Sequence, residues 1–576
     1  MTIPNHSPGR LRLKFDRLKS SGNLGWSIAA LVISLIITAP LVSIATLAMR
    51  SSGNTWPHLV ATVLPSSTAT TLLLMLGVGL STLIIGTGTA WIVTMYRFPG
   101  RSAFEWLLLV PLAMPTYIIA FCYMEILDYS GSLQTMMRLS FGWHNAADYW
   151  FPDIRSIGGA VFIMSFVLYP YVYLTARASF LQQSVCVLEV SRTLGCSAWG
   201  AFWSVALPLS RPALVAGVTL SLMETLNDIG AVEFLGVQTL TVSIYTTWLE
   251  RSSLPGAAQI SVVMLIFVFG LLAAERLARR KQMFHHTTGK YSHLPEERLS
   301  PLGQSLAMLA CALPIVIGFV LPASVLVDSA IVHLEDGLQT AFWRAAMHSL
   351  ELALAVALIA VVLGLVLAYA CRATRSRLVH IASGLAGIGY AVPGTVLAVG
   401  ILLPLASFDN AVDRFMEDMF GIDTGLLLSG TAFAVIFACT VRFLAVSAGT
   451  IDAGFKKTSR SLDAASRTLG VNVSQTLWRI HLPMLTPVLG TAALLVFVDS
   501  MKELPATLLL RPFNFDTLAT HVYTLTSLDQ FEEASLAALA IVFIGLTPVI
   551  FIHRAIAAGR PGARALATAE KTPFTS

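Results

Sequence analysis

The chain has 576 residues, of which 55% are hydrophobic and only 12% charged, and its mean hydropathy is +0.73. A soluble domain carries about 25% charged residues, so this composition excludes an ordinary globular enzyme and implies a chain that crosses a membrane many times. The net charge of +5 does not point to nucleic acid as a partner, because the basic residues stand in short clusters between apolar runs, where they report orientation.

The chain opens on a basic tail, residues 1–20, followed by an apolar stretch longer than a signal-peptide core, which predicts a retained first span. A helix needs roughly 20 apolar residues to cross the hydrocarbon layer. Twelve stretches qualify, near 25–49, 69–96, 103–126, 157–178, 211–235, 255–277, 302–326, 343–371, 379–406, 425–449, 485–510 and 533–556. Prolines at 111, 115, 170 and 393 fall inside spans, which is tolerated where neighbours satisfy the freed carbonyls. Basic segments such as Arg10–Lys19, Arg276–Lys281, Arg372–Arg377 and Arg554–Arg564 occupy alternate loops. The positive-inside rule makes that side cytoplasmic, together with both termini and the 278–300 linker. The six cysteines (Cys122, Cys186, Cys196, Cys311, Cys371, Cys439) are scattered with no CxxC pair and suit packing.

The sequence repeats itself. At an offset of 275, residues 191–214 and 466–489 match at ten of 24 positions, including an identical SRTLG. Upstream the offset is 278: Gly86 falls on Gly364, Ala90 on Ala368, and AMPT at 113–116 on AVPG at 391–394. The expected fold is all-α, a polytopic membrane protein of two tandem six-helix halves, 21–277 and 301–556. A tail follows at 557–576. Because six is even, the halves share one orientation and relate by a pseudo-two-fold axis along the membrane normal.

Each copy of the repeated loop reads as helix, turn, helix. Gly195 and Gly470 suit a helix C′ position, where only glycine adopts the left-handed conformation cheaply. Ser197 and Asn472 follow as N-caps. Trp203 and Trp478 occupy equivalent positions on the second helix, and Leu207-Pro208 and Leu482-Pro483 are expected to end it.

The loop, EVSRTLGCSAWGAFWSVALPL in one copy and AASRTLGVNVSQTLWRIHLPM in the other, resembles the EAA motif of ABC-importer permeases. The Gly-to-Pro spacing of that motif is kept in both. Copy one, about 189–208, has Glu189 but Val190-Ser191 where the family has Ala-Ala. Copy two, about 464–483, has Ala464 where the family has Glu, with Asp463 one residue earlier. The stretches METLNDIGAVEFLGVQTLTVSIYTTW and VDSMKELPATLLLRPFNFDTLATHVYTL make the chain most similar to the fused ferric-iron uptake permeases of bacteria.

The resemblance implies a type I importer of the bacterial inner membrane, surrounded by lipid. A periplasmic binding protein would deliver Fe³⁺. Two copies of an ABC ATPase would grip the two loops through Glu189, Gly195, Trp203, Leu207, Pro208 and through Ala464, Gly470, Trp478, Leu482, Pro483. ATP and Mg would be used by that partner, with no cofactor and no catalytic residue in this chain. In keeping with this, no G-x-x-x-x-G-K-[ST] phosphate loop occurs; Gly289-Lys290-Tyr291 is the nearest string.

Four acids follow the two loops, Glu224 and Asp228, then Asp499 and Glu503, coincident at the 275 offset. The i, i+4 spacing puts each pair on one face of a helix. Acids inside spans are costly and face a cavity or a partner, so the four are candidates for the translocation path. Hard cations prefer oxygen ligands, which also makes them candidates for transient Fe³⁺ contact. Helix-end or arginine partners are the structural alternative, and Lys502 is placed to neutralise one acid. His285, His286 and His293 fit a solvated basic linker better than a metal site, and Tyr117 and Tyr169 fit helix packing better than a pore. The aromatics of 143–153 suit either an interfacial belt or the binding protein.

Two other functions use part of this pattern. One is a fused permease for another small solute, such as thiamine. The other is an ion-coupled secondary transporter, in which the acids would take protons or sodium. A membrane enzyme fits worst, since neither HExxH nor GxSxG occurs.

The topology is testable. A single cysteine at Ser292, in a cysteine-free background, should resist impermeant thiol reagents added to intact spheroplasts and react once the membrane is opened. Labelling from outside would overturn the twelve-span orientation.

Overall fold

The computed structural model describes residues 24–182, 198–280, 297–374 and 376–558, and it is built of helices. The β structure among the described residues is one parallel pair of two-residue strands, Tyr96–Arg97 with Glu297–Arg298. Eleven helices are long and apolar enough to cross a membrane: α1 (Leu24–Ala48), α2 (Thr55–Met95), α3 (Ile157–Leu181), α4 (Phe202–Asn227), α5 (Leu254–Ala278), α6 (Pro301–Val332), α7 (Thr340–Ala373), α8 (Gly394–Phe420), α9 (Ala432–Lys457), α10 (Val473–Met501) and α11 (Phe531–Ile550).

The expected span at 103–126 is not one helix. Arg101–Ala113 and Thr116–Phe141 meet at 91°, and the count reaches twelve only if this bent pair is a single span. Met114 and Pro115 are both extended at the break (ψ 120 and 144). A residue before proline is pushed out of the α region by the proline ring. The same break recurs at Val392-Pro393 (ψ 124 and 145), so the expected span 379–406 is also divided, and its long helix is α8.

Leu-Pro does not end helices here. The four π turns among the described residues, Leu59–Val63, Phe202–Ala206, Val316–Val320 and Leu477–His481, each stand directly before a Leu-Pro pair. The leucine amide donates five residues back, Leu207 to Phe202 and Leu482 to Leu477, and the helix then runs on. Proline lacks the amide proton and crowds the carbonyl four residues earlier; one widened turn absorbs both defects without a break. The expected helix ends at Leu207-Pro208 and Leu482-Pro483 are thereby corrected to continuous helices.

Compactness groups the chain differently from its tandem order. One unit comprises Met1–Arg50 and Ala346–Thr517, the other Ser51–Ala345 and Leu518–Ser576. In the first, α1 lies along α8 and the helix Arg377–Ala386. A Cβ on Gly400 would come within 2.5 Å of the Pro40 carbonyl, and the Trp26 ring meets the edge of Tyr369 at 4.9 Å. The core of this unit is built around Tyr369, Ile451, Phe455, Leu477 and Leu485. In the second unit α2, α3 and α4 pack around Trp91, Tyr169, Tyr173, Phe180 and Phe202. Helices α6 and α11 close against this core: a Cβ on Gly318 would lie 2.3 Å from the Phe166 carbonyl, and one on Gly545 2.2 Å from that of Ala113. The compact units thus cut across the halves expected from the sequence, 21–277 and 301–556: each combines segments of both.

The repeated glycines have one role in both units. A Cβ on Gly86 would meet the Tyr169 carbonyl at 2.8 Å, and one on Gly364 the Ser447 hydroxyl at 2.5 Å. Each marks a close helix crossing that only a small residue permits. Outward-facing Leu35, Leu76, Leu358 and Phe543 are more than two-thirds exposed, a surface suited to lipid.

Gly400→Leu should drive α1 off α8 and cost about 1–3 kcal/mol as overpacking, read as a lower thermal midpoint in detergent. Gly88→Leu, where a Cβ meets nothing within 4 Å, should leave the midpoint in place. Equal midpoints for both variants would show that α1 is not seated there.

Candidate functional site: the elbow and the acids

In the second repeat the SRTLG loop is a closed elbow. The helix Ser461–Thr468 ends at Leu469, and Gly470 takes φ +77. Val471 N–H donates to the Ser466 carbonyl and Gly470 N–H to that of Arg467, a Schellman termination. Asn472 then opens the next helix with a capping box. Its side chain accepts from Gln475 N–H at 2.8 Å, and Gln475 Oε1 accepts from Asn472 N–H at 3.2 Å. Buried Ser466 meets the Thr476 hydroxyl at 2.6 Å and ties the arms together. The geometry expected of Gly470 and Asn472 is present. Glu189, Gly195 and Ser197 of the first copy lie outside the described residues. Trp203 and Trp478, at equivalent positions, are 59% and 67% exposed. Pro483 is also exposed, and Leu207, Pro208 and Leu482 are half-buried.

Asp463 anchors the elbow from inside. Its Oδ2 lies 2.7 Å from Arg372 Nη2, and its Oδ1 lies 2.6 Å from His481 Nε2. Arg372 also donates to the carbonyls of Phe455, Thr458 and Ser459. Asp463 is therefore occupied within the chain, while Ala464 is exposed on the elbow. Burial pushes the Asp463 carboxyl up, but hydrogen bonds from His481 and Arg372, with the charge of Arg372, outweigh it and hold the group below the ordinary carboxylate value. A depressed carboxylate stabilises above its unfolded pKa and loses that contribution as pH falls through the folded value, so the anchor is intact at neutral pH. Sequence reasoning read Arg372 only as an orientation signal; the three-way contact needs residues 91 and 18 positions from Asp463.

The helices that carry the acids end before the second acid of each pair. Glu224 lies in α4, but the helix stops at Asn227 and Asp228 is extended (φ −68, ψ 127). Asp228 accepts from the Thr116 hydroxyl and, at 2.8 Å, from Ala231 N–H, heading the short helix Gly230–Phe234. In the other unit α10 stops at Met501. Glu503 accepts from Ala506 N–H at 2.9 Å, Thr507 N–H at 3.0 Å and the Thr507 hydroxyl at 2.7 Å, heading Pro505–Leu510. Buried Arg442 approaches the same carboxylate at 3.2 Å. Asp499, still on the helix, pairs with Lys502 at 3.1 Å. The helices do not run on through Asp228 and Glu503, because these acids satisfy the free amides of a following helix, which requires the first to end. Among the described residues no three His, Cys, Asp or Glu side chains converge on a metal-sized site.

The two breaks solve one problem differently. Thr116 corresponds to Gly394 at the 278 offset. A Cβ on Gly394 would sit 2.9 Å from Glu503 Oε1, so the hydroxyl donor of one unit is replaced by the Arg442 guanidinium of the other. A lone arginine inside the 425–449 span was the available signal, and sequence reasoning missed it. Tyr117 and Tyr169 are buried in helix packing. The linker histidines lie outside the described residues.

The family model described as "Binding-protein-dependent transport system inner membrane component" matches residues 82–283 and again 360–560. The chain is 27% identical over 489 residues to the Fe(3+)-transport system permease protein FbpB 2 of Haemophilus influenzae, covering 84% of this chain and 88% of the relative. It is 23% identical to the ferric transport system permease protein FbpB of Actinobacillus pleuropneumoniae, over 81% of this chain and 67% of that one. With the sulfate transport system permease protein CysT of Escherichia coli it shares 28% identity over 255 residues, 42% of this chain and 86% of the relative.

Breaking the buried Arg442–Glu503 pair from one side should be worse than removing it. Arg442→Met or Glu503→Leu alone should each cost about 3–5 kcal/mol or abolish a monodisperse product, whereas the double variant should recover part of that loss. Additive losses in thermal midpoint would show that the two charges are not coupled.

Proposed function

Because the chain belongs to the family of inner membrane components of binding-protein-dependent transport systems, we propose that it is the permease subunit of an ABC importer for ferric iron. The observation that carries the iron assignment is the match to a ferric permease along nearly the full length of both chains. The sulfate permease aligns with less than half of this chain, which makes a tetrahedral oxyanion the second reading. Family membership removes the ion-coupled secondary transporter. Nothing in the relatives favours thiamine.

In this reading a binding protein delivers Fe³⁺ on the periplasmic side and two ATPase copies, using ATP and Mg, grip the two elbows. Both termini are cytoplasmic. Leu469, Ala464 and Trp478 are the surface the second elbow offers. The Asp463–Arg372–His481 anchor makes that elbow rigid against α7, and the π turn keeps α10 continuous. Force applied at the elbow thus travels along 29 residues, about 43 Å of helix, to the break that carries Asp499 and Glu503. The first repeat has the corresponding helix, α4, which carries Glu224 and ends at Asn227, just before Asp228. Glu224 and Asp499 remain the path candidates. Asp228 and Glu503 hold the breaks in shape, and their oxygens are available to the ion only on giving up their present donors.

Proteoliposomes holding the permease, its ATPase and its binding protein should accumulate labelled ferric iron on ATP addition, and neither sulfate nor thiamine. Glu224→Gln and Asp499→Asn should lower iron uptake while binding-protein-stimulated ATP hydrolysis survives. Gly195→Val with Gly470→Val should strain each turn by about 1 kcal/mol or more and lower ATPase association. Sulfate uptake without iron uptake would overturn the iron assignment, and normal ATPase association in the double glycine variant would sink the docking role of the elbows.

A further inference from the structure

The second repeat contains a cavity whose small lining residues have bulky counterparts in the first repeat. It measures about 590 Å³ and opens beside the elbow, between the C-terminal ends of α7 and α9 and the helix Arg377–Ala386. Its floor is made of Gly384, Gly387, Ala448 and Gly449. A Cβ built on Gly384, Gly387 or Gly449 meets nothing within 4 Å. At the 278 and 275 offsets Gly384 corresponds to Trp106, Ala448 to Tyr173 and Gly449 to Leu174. In the other unit Tyr173 is fully buried in the core, and Trp106 and Leu174 pack against it. One copy thus keeps an aromatic plug, and the other has small residues around an open space.

The rim of that space is cationic. Arg372, His380, Lys456 and Arg460 line it, with Asp452 as the one acid. Lys456 reaches Asp452 at 2.7 Å but is 76% exposed, so that pair is weak and readily exchanged. Arg372 is held by Asp463. Among the described residues no acid pairs with Arg460. At the equivalent positions the first repeat has Leu181 for Lys456 and Ser102 for His380. There Arg177 is neutralised by Glu105, their side chains only 5% and 14% exposed. The bulky plug and the balanced charge are absent together in the second repeat.

We propose that this cavity binds a phosphate-bearing anion, with the phosphate between Arg460, Lys456 and His380 and the remainder of the ligand over the small-residue floor. The chemistry is that of basic pockets on the cytoplasmic side of membrane helices, which take anionic headgroups, and the volume lies in the range of small-molecule sites. A phospholipid headgroup and a free phosphate compound share this chemistry. Either would sit against Arg372, the residue that holds the elbow through Asp463, and so bears on the same element that the ATPase is proposed to grip.

The test uses the full chain purified in detergent and read by native mass spectrometry with added phosphatidylglycerol or phosphatidylcholine. Phosphatidylglycerol should be retained and phosphatidylcholine should not. Lys456→Gln with Arg460→Gln should weaken phosphatidylglycerol retention about tenfold or more. Gly384→Trp with Gly449→Leu, which restores the first repeat's bulk, should abolish it. Millimolar inorganic phosphate that displaces the lipid assigns the site to the phosphate group alone; failure to displace it assigns the site to the intact lipid. Equal retention of both lipids, or undiminished phosphatidylglycerol in the charge variant, overturns the proposal. If the filled variant is not monodisperse, the charge variant decides alone.

Discussion

Every peptide group inside an apolar layer must find a hydrogen-bond partner within the protein, and the prolines of this chain make that demand hardest to meet. Two responses recur. At four Leu-Pro pairs one π turn shifts the hydrogen-bond register and the helix continues, as in α4 and α10. Where the chain bends, at Pro115 and Pro393, the helix ends and a new one starts, and where α4 and α10 end an acid accepts from the free amides of the helix that follows. Asp228 and Glu503 do this for the short helices that follow α4 and α10. Asp228 and Glu503 are therefore first a solution to a backbone problem.

The same constraint joins the elbow to the interior. Had Pro483 ended a helix, the loop at Gly470 and the acids near residue 500 would stand on separate pieces. The π turn leaves them on one rod. The rod is fixed at its loop end by Asp463, which binds Arg372 of α7 and His481 of α10 itself. A rigid element with a defined lever arm is what a partner bound at the elbow needs in order to move the far end.

Duplication supplied two copies, and side-chain exchange made them unequal. The break that Thr116 secures with a hydroxyl is secured by Arg442 in the other unit, where Gly394 makes the room. The bulky Trp106 and Tyr173 of one repeat correspond in sequence to Gly384 and Ala448 of the other, which line an open, basic cavity. The repeats thus share helix breaks at equivalent positions while differing in the side chains around them.

The helical class, the repeat, the glycine turn at 470 and the Asn472 cap were legible because each depends on a few neighbouring residues: apolar length, offset matching, a residue free to take positive φ, a side chain able to reach N3. What the local pattern misread was equally systematic. Period alone put Glu224 with Asp228 and Asp499 with Glu503 on common faces, yet whether a helix continues past residue 227 or 501 depends on amides and donors from other helices. The roles of Arg372, Arg442 and His481 rest on partners 91, 61 and 18 residues away, and the grouping of α1 with α8 rests on the fit of Gly400 against the Pro40 carbonyl. The sequence by itself determined where helices form and that there are two copies, because those follow from local hydrogen bonding and solvent transfer. Only the tertiary structure decided where helices break, which acids are occupied and which helices share a unit, because those are competitions among groups that the chain brings together only by folding.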